Sequence, residues 1–392
     1  MNEKLYEEFE LDVEDTSNEE CEEDILEYDI TSAPRDWNPS NIVELIDSNI
    51  IEMPLFQRKY VWDIKRASRF IESLILGLPV PELFVYIDDD EESTYKIIDG
   101  QQRILSIYFF VKGRFPKNNR TRNLIKQKIQ EGKSFESLLD DNQLFKDFNL
   151  DLDETSRYYK KKFDDLEEMK LKFRLRRYVR AIMIRQNKPD DNKDSMYEIF
   201  NRLNTGGVKL TPQEIRASLY YCPFYDMMLR INCNDKWRKI IGSENLEIHS
   251  RDVELILRAF ALLEKWNAYS PKMLTFLNDY SQDSKKFNND KIEYCERLFD
   301  SFLTSCSLLE EKAFYKTNGK FAISIFEAVF VAVCSEAYQN NCLVEGTINS
   351  ADFVTLKNNK QFEALTQSSS TSRNNVLRRI EIAKSIISLD KE

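Results

Sequence analysis

An apolar run, Tyr95-Lys96-Ile97-Ile98, leads into Asp99-Gly100-Gln101-Gln102-Arg103 and on into Ile104-Leu105-Ser106. A carboxylate, a glycine, two carboxamides and a guanidinium thus meet where a strand gives way to a helix. Backbone N–H groups at a helix start lack intrahelical acceptors, and the helix dipole favours anions there. Gly100 lets a ligand approach the backbone closely. Gln101 and Gln102 offer donors and acceptors, and Arg103 offers a two-pronged fork for phosphate. Asp99 is placed to cap the helix, orient a water or hold Mg²⁺. The chemistry these residues would do is the binding of a phosphate-bearing ligand. A capped helix start with a surface arginine is the plainer alternative.

Two further segments carry similar chemistry. Pro54-Leu55-Phe56-Gln57-Arg58-Lys59-Tyr60-Val61-Trp62 reads as extended. Alternate side chains of an extended chain face the same way, so Phe56, Arg58 and Tyr60 would lie opposite Gln57, Lys59 and Val61. A cation among aromatics can grip a phosphate or stack on a base. An amphipathic edge strand with a snorkelling Arg58 accounts for the same residues. Phe200-Asn201-Arg202-Leu203-Asn204-Thr205-Gly206-Gly207 ends in a tight turn that could present backbone amides to an anion, or serve architecture alone. It is not a Walker A loop, because neither the spacing nor a following Gly-Lys-Ser/Thr is there. Thr211-x-x-Glu214 is a capping box with Pro212 at the first helical position.

The elements that must position these pieces follow from pattern. Ser40 is expected to cap a short helix carrying Ile42, Val43, Leu45 and Ile46, and residues 51–62 run extended. Asp63 caps a helix with the stripe Ala67, Phe70, Ile71, Leu74 and Ile75, stopped by Gly77 and Pro79. Residues 83–87 and 95–98 read as paired strands around the acidic turn 88–93, and 101–111 as a helix ending near Gly113. The charged stretch 114–165 reads as helices with loops. Apolar and basic residues alternate over 171–176, which predicts a half-buried strand with Lys172, Arg174 and Arg176 on one cationic face. Residues 195–203 read as helix, another helix opens at Thr211, and the pattern is helical from Val253 onward, without a strand. The fold class expected is α+β. A mostly disordered acidic arm (1–35) precedes an α/β domain (36–218) and an α-helical domain (219–392).

With 392 residues, 42% of them hydrophobic, and with 25 Phe and 18 Tyr, the chain can fill two cores. Its formal charge of -11 misleads, because residues 1–30 hold fourteen Asp or Glu and one Lys, leaving 53 acidic against 55 basic residues elsewhere. Overall acidity is therefore no argument against a nucleic-acid partner. The arm itself suits a solubilising tail, a docking segment or a tethered mimic of DNA charge. No run of about eighteen uncharged apolar residues predicts a membrane span, and the acidic start is unlike a signal peptide, so a cytoplasmic location is expected. Cys21, Cys222, Cys233, Cys295, Cys306, Cys334 and Cys342 form no C-x-x-C pair and read as reduced packing thiols rather than disulfides or zinc ligands.

Together the three segments resemble the N-terminal domain family of GmrSD-type modification-dependent restriction systems. The resemblance rests on Phe56-Gln57-Arg58-x-Tyr60-Val61-Trp62, Ile98-Asp99-Gly100-Gln101-Gln102-Arg103 and Phe200-Asn201-Arg202-Leu203-Asn204-Thr205-Gly206-Gly207, in that order over about residues 40–220. The later Thr371-Ser372-Arg373 is in keeping with it. It implies a ParB/sulfiredoxin-like N-terminal fold with a nucleotide site, followed by helices, and a place in bacterial defence linked to nucleoside-triphosphate hydrolysis. By that likeness Asp99, Gln101, Gln102 and Arg103 form the nucleotide site, with Gln57, Arg58, Gly100 and Ser106 contributing and Arg202 and Asn204 further out. Many relatives have a Leu-Thr pairing where this chain has Leu105-Ser106; the hydroxyl is kept. Full-length relatives often continue into a His-Asn-His nuclease domain, which uses histidine as base and metal ligand. The single histidine here, His249, cannot fill both roles, so DNA cleavage by this chain alone is not expected. The same scarcity disfavours a Ser-His-Asp or Cys-His hydrolase.

The expected function is binding of a nucleoside triphosphate, with the base unspecified, coupled to hydrolysis or to a switch. Arg103 and Arg58 would neutralise phosphate charge, Gln101 and Gln102 would orient phosphate or water, and Asp99 would align water or Mg²⁺. The alternative is a non-catalytic DNA-binding or adaptor module that recruits a separate nuclease subunit. Lys172, Arg174, Arg176 and the basic stretch 114–133 would then touch DNA, although such faces are more often simply solvated.

Overall fold

A computed structural model describes residues 29–52, 60, 62–88, 94–118, 121, 124–125, 128, 133, 135–188, 194–203, 211–243, 246–247, 250–270, 272–316, 318–367 and 370–390. One compact unit spans Ile25–Leu219 and a second takes in Tyr220–Glu392.

The first unit is built on a five-stranded mixed sheet in the order β1-β7-β3-β4-β2. Its strands are β1 (Asp29–Trp37), β2 (Ile51–Glu52), β3 (Leu83–Asp88), β4 (Thr94–Asp99) and β7 (Val179–Lys188). The central β3 runs antiparallel to β4, with Val85 opposite Ile97, and parallel to β7, with Val85 opposite Met183. A separate two-stranded pair joins β5 (Arg114–Pro116) to β6 (Phe145–Asp147). The helices are α1 (Pro39–Asp47), α2 (Ile64–Leu76), α3 (Gln101–Val111), α4 (Phe135–Leu139), α5 (Glu168–Arg176), α6 (Asp194–Leu203) and α7 (Pro212–Leu219).

Much of this follows from local chemistry. The Asp63 carboxylate accepts from the Arg66 amide at 2.7 Å, and Gly77 takes the left-handed conformation that ends α2. The stripe Ala67, Phe70, Ile71, Leu74 and Ile75 is buried, and it shares one core with Ile97 of β4 and Ile104, Ile107 and Phe110 of α3. Neighbouring Lys96 therefore faces the other side of the sheet. There α6 packs on β4, and Lys96 Nζ lies 3.5 Å from the Leu219 carbonyl of α7. The Thr211–Glu214 capping box forms as expected, with the Thr211 amide 2.7 Å from Glu214 Oε2.

Five expectations need correction. The stretch 114–165, read as helices with loops, also holds the paired strands β5 and β6, each only three residues long and therefore too short to show a period. The acidic arm does not extend to residue 35, because 29–37 is the edge strand β1, with Trp37 opposite Val179. Side chains 31–36 are all exposed, so no apolar period marks this strand; backbone pairing and buried Trp37 hold it, and Pro34 is tolerated at an edge. The first helix is capped by Asn38 rather than Ser40, its side chain accepting from the Asn41 amide at 2.8 Å, with Pro39 at the first helical position. Residues 171–176 are not a strand but the end of α5. Glu, Met, Lys, Leu and Arg are strong helix formers, and β-branched residues begin only at Val179, where the true strand starts. Of the three alternating apolar residues only Phe173 is buried; Leu171 and Leu175, one turn apart, are 64% and 46% exposed, so the three do not share one buried face. A short pair, β8 (Thr347–Ile348) with β9 (Leu389–Asp390), also interrupts the expected all-helical second half.

The second unit is otherwise helical. Phe260, Phe299, Phe302, Phe326, Phe330 and Trp237 interlock at its centre, mostly edge to face or tilted. Beside them the buried carboxylate of Glu327 accepts from Arg258 and lies 3.7 Å from Arg379 Nη2. The six described cysteines are free thiols, and burial pushes Cys295 up to about 12. Cys21 and His249 lie outside the described residues.

Candidate functional site

Strand β4 and helix α3 meet at Gly100, whose φ of 105° is left-handed. A Cβ there would sit 2.3 Å from Leu83 Cδ2 and 3.2 Å from Arg103 Nη2, so only glycine fits. The turn lets the chain reverse within one residue, and the first helical bond runs from the Ile104 amide to the Gly100 carbonyl at 3.0 Å. No side chain caps α3, in contrast to α1 and α2. The plainer reading, a capped helix start, is therefore not what forms.

Asp99 turns instead to Arg103. Arg103 Nη2 donates to Asp99 Oδ2 at 2.7 Å and to the Glu82 carbonyl at 3.1 Å. The arginine side chain is 13% exposed and that of Asp99 44%, so the carboxylate forms the open side of the pair. Arg103 Nε is buried without an acceptor. A buried guanidinium N–H left unmatched is an uncommon arrangement, and it marks donor capacity that the fold does not use.

Gln102 is oriented by its neighbours. The Trp62 amide donates to Gln102 Oε1 at 3.2 Å; because that partner is a donor, the amide end of the carboxamide is the one turned away. Trp62 is itself wedged edge-on against Phe70 and under Arg66. Ser106 has no exposed surface, donates to the Gln102 carbonyl at 2.7 Å and stands 2.8 Å from the Tyr60 hydroxyl. It supports the site from beneath rather than facing a ligand. The far end of α3 is fastened to α1, since Tyr108 and Lys112 both donate to Asp47, at 2.9 and 2.8 Å. Burial, with Asp47 beside it, pushes the Tyr108 phenol well above its usual range.

Asp99, Gly100, Gln102 and Arg103 are thus gathered on one turn, with Gln101 opening the same helix. Arg202 is exposed in the last turn of α6. Gln57, Arg58 and Asn204 lie outside the described residues. Sequence reasoning missed the ties from Tyr60 and Trp62; the signal was a hydroxyl at position 106 on an otherwise apolar helix face. Lys172, Arg174 and Arg176 are exposed on α5, with Arg174 Nε 3.0 Å from Ser40 Oγ. Arg114, which opens the basic stretch, is committed to the Leu139 carbonyl, Asn142 and Asp147. A cleft of about 520 Å³ lined by Ser40, Val43, Glu44, Asp47, Ser48, Val111 and Arg174 lies at the opposite end of α3 from the Asp99 turn.

Residues 40–221 match the family model described as GmrSD restriction endonuclease, N-terminal domain. This stretch, from the first turn of α1 to just past α7, belongs to that domain family. Searches of curated proteins and of solved structures find no match. Among the described residues no helix is long and apolar enough to cross a membrane.

Proposed function

We propose that this protein is the nucleotide-binding component of a bacterial DNA-restriction or anti-phage defence system, hydrolysing a nucleoside triphosphate or switched by it. The observation that carries this reading is Arg103, held by one nitrogen while its Nε is buried without an acceptor beside an uncapped helix start. A phosphate at this turn would find the α3 dipole, the guanidinium and the oriented Gln102 together. Gln101 would stand on the same turn to orient phosphate or water. Asp99 suits Mg²⁺ brought in by the phosphates, because that ion commonly takes one or two carboxylates and completes its shell with phosphate oxygens and water. Such an ion would supply charge neutralisation; orienting the phosphate would fall to Arg103 and Gln102. Gln57, Arg58, Arg202 and Asn204 would complete the nucleotide's surroundings.

Binding and phosphate release measured with ATP, GTP, CTP and UTP in the presence of Mg²⁺ test this reading. A hydrogen bond to a charged group contributes about 1.5–3 kcal/mol, so Arg103→Ala should weaken nucleotide binding about ten- to a hundredfold. Equal binding by parent and variant would remove the assignment.

A non-catalytic DNA-binding or adaptor role, recruiting a separate nuclease, draws its support from the exposed Lys172, Arg174 and Arg176 on α5. Binding through phosphate charge falls steeply with salt. A DNA shift that is flat between low and moderate salt would dismiss that reading.

A further inference from the structure

Exposed apolar side chains are concentrated at one place on the first unit. Among the described residues ten large ones are exposed, and five of these fall in two short segments: Leu76 and Leu78 at the end of α2, and Leu171, Leu175 and Tyr178 along α5. Each is between 46% and 64% exposed. The two segments are fastened together. Arg177 donates from Nε and Nη2 to the Ile75 carbonyl at 3.1 and 2.8 Å, and its Nη1 sits 2.8 Å from where a Cβ on Gly77 would be. Steps of four and three residues put Leu171, Leu175 and Tyr178 in one row. The Tyr178 phenol donates back to the Leu175 carbonyl at 3.1 Å, which closes the end of that row. Phe173 already anchors α5 in the core, so the row is not needed to hold the helix down.

Cations flank the row. From Lys170 onward every charged residue of α5 is basic. Lys172 and Arg176 are exposed with no acidic partner among the described residues, and Arg174 meets the neutral hydroxyl of Ser40. We propose that this patch docks a partner protein whose apolar side chains are ringed by Asp and Glu. Charge and apolar surface must be met together, and that decides among occupants. A DNA duplex would satisfy the cations through its phosphates but leave four leucines and a tyrosine without apolar contact. A second copy set patch to patch, as two-fold symmetry requires, would place like charges opposite each other. An apolar centre within a charged rim is ordinary protein-interface anatomy, patches of a few hundred Å² on soluble proteins are often functional, and the complement of a basic rim is acidic. Docking here is independent of what binds at the Asp99 turn.

The test uses the full chain and three polyanions: poly-glutamate, a random glutamate–tyrosine copolymer and a short DNA duplex, titrated by calorimetry at one ionic strength. Only the copolymer offers carboxylates and apolar rings together, and it should bind about tenfold more tightly than poly-glutamate. The double variant Leu171→Gln/Leu175→Gln, in which glutamine keeps the helix, should erase that advantage and leave poly-glutamate binding unchanged. Lys172→Glu/Arg176→Glu should weaken both polymers about tenfold or more. Equal binding of the two polymers, or a copolymer advantage that survives the leucine variant, overturns the proposal. The polymer comparison needs only the parent, so it stands even if a variant fails to fold. Duplex binding tighter than the copolymer's, lost in the charge variant alone, would make the face a DNA contact instead. A dimer in light scattering that the leucine variant dissolves would make it a self-interface. Sedimentation with phosphatidylglycerol vesicles that needs the same leucines would make it a membrane contact. Each of these three outcomes overturns the proposal as well.

Discussion

Asp99 and Arg103 face each other across a single turn, the last residue of β4 against the third of α3, with 2.7 Å between Oδ2 and Nη2. The carboxylate occupies the guanidinium edge that an incoming phosphate would seek. It therefore acts in two senses: it competes with a bare anion for Arg103, and it is the group able to meet a cation travelling with that anion.

This gives a prediction with opposite signs in one variant. Without divalent metal, Asp99→Asn should bind tripolyphosphate about three- to tenfold more tightly than the parent, because a charged competitor has gone. With Mg²⁺ and nucleotide the same variant should bind more weakly, and any phosphate release should be lost. Paired titrations in chelator and in magnesium measure both.

Gly100→Ala should be damaging out of proportion to its size. The added methyl would meet Leu83 Cδ2 at 2.3 Å in a backbone conformation that alanine avoids. A loss of about 2 kcal/mol or more is expected in chemical denaturation, with nucleotide binding reduced as the turn opens.

In the second unit, Glu327→Gln leaves two buried guanidinium groups, Arg258 and Arg379, without their shared carboxylate. Breaking a buried ion pair by removing one partner costs about 3–5 kcal/mol. Urea unfolding should show this loss, while a Glu327→Asp variant, which keeps the charge, should lose less.

Burial lifts the Asp226 carboxyl above its ordinary 3.8, against the opposing pull of the Tyr221 hydroxyl and of Arg230. The folded protein thus holds this proton more firmly than the unfolded chain. Stability from this group is present at low pH and is lost as pH rises through the window just above 3.8. Asp226→Asn should flatten that stretch of the stability–pH curve and equal or exceed the parent's stability at neutral pH. Urea midpoints taken across the acid range check it.

The site turn and its helix were legible because their signals are local. An apolar strand, Asp-Gly and a helical run leave few conformations open, and the caps at Asp63 and Thr211 name their own partners. What stayed hidden was set at long range. Strand β1 announces itself only through its pairing with β7, since its outward side chains are exposed on both faces. The alternation in α5 imitated a strand because two exposed leucines happened to sit among cations, and nothing within six residues distinguishes that from a half-buried face. Ser106 looked like a ligand contact for a similar reason. Its hydroxyl could be counted from the chain, but its direction, inward to Tyr60, depends on a residue 46 positions away.

The family match opens at residue 40, yet the sheet on which that domain stands begins at Asp29. A fragment cut at the kinship boundary would strip β7 of its outer neighbour, leaving only β3 beside it, and bare the edge of backbone donors and acceptors that nine pairs with β1 now cover. Such an edge invites self-association, so the shortest well-behaved piece of this half should start upstream of β1. Ancestry and foldability draw their lines about eleven residues apart.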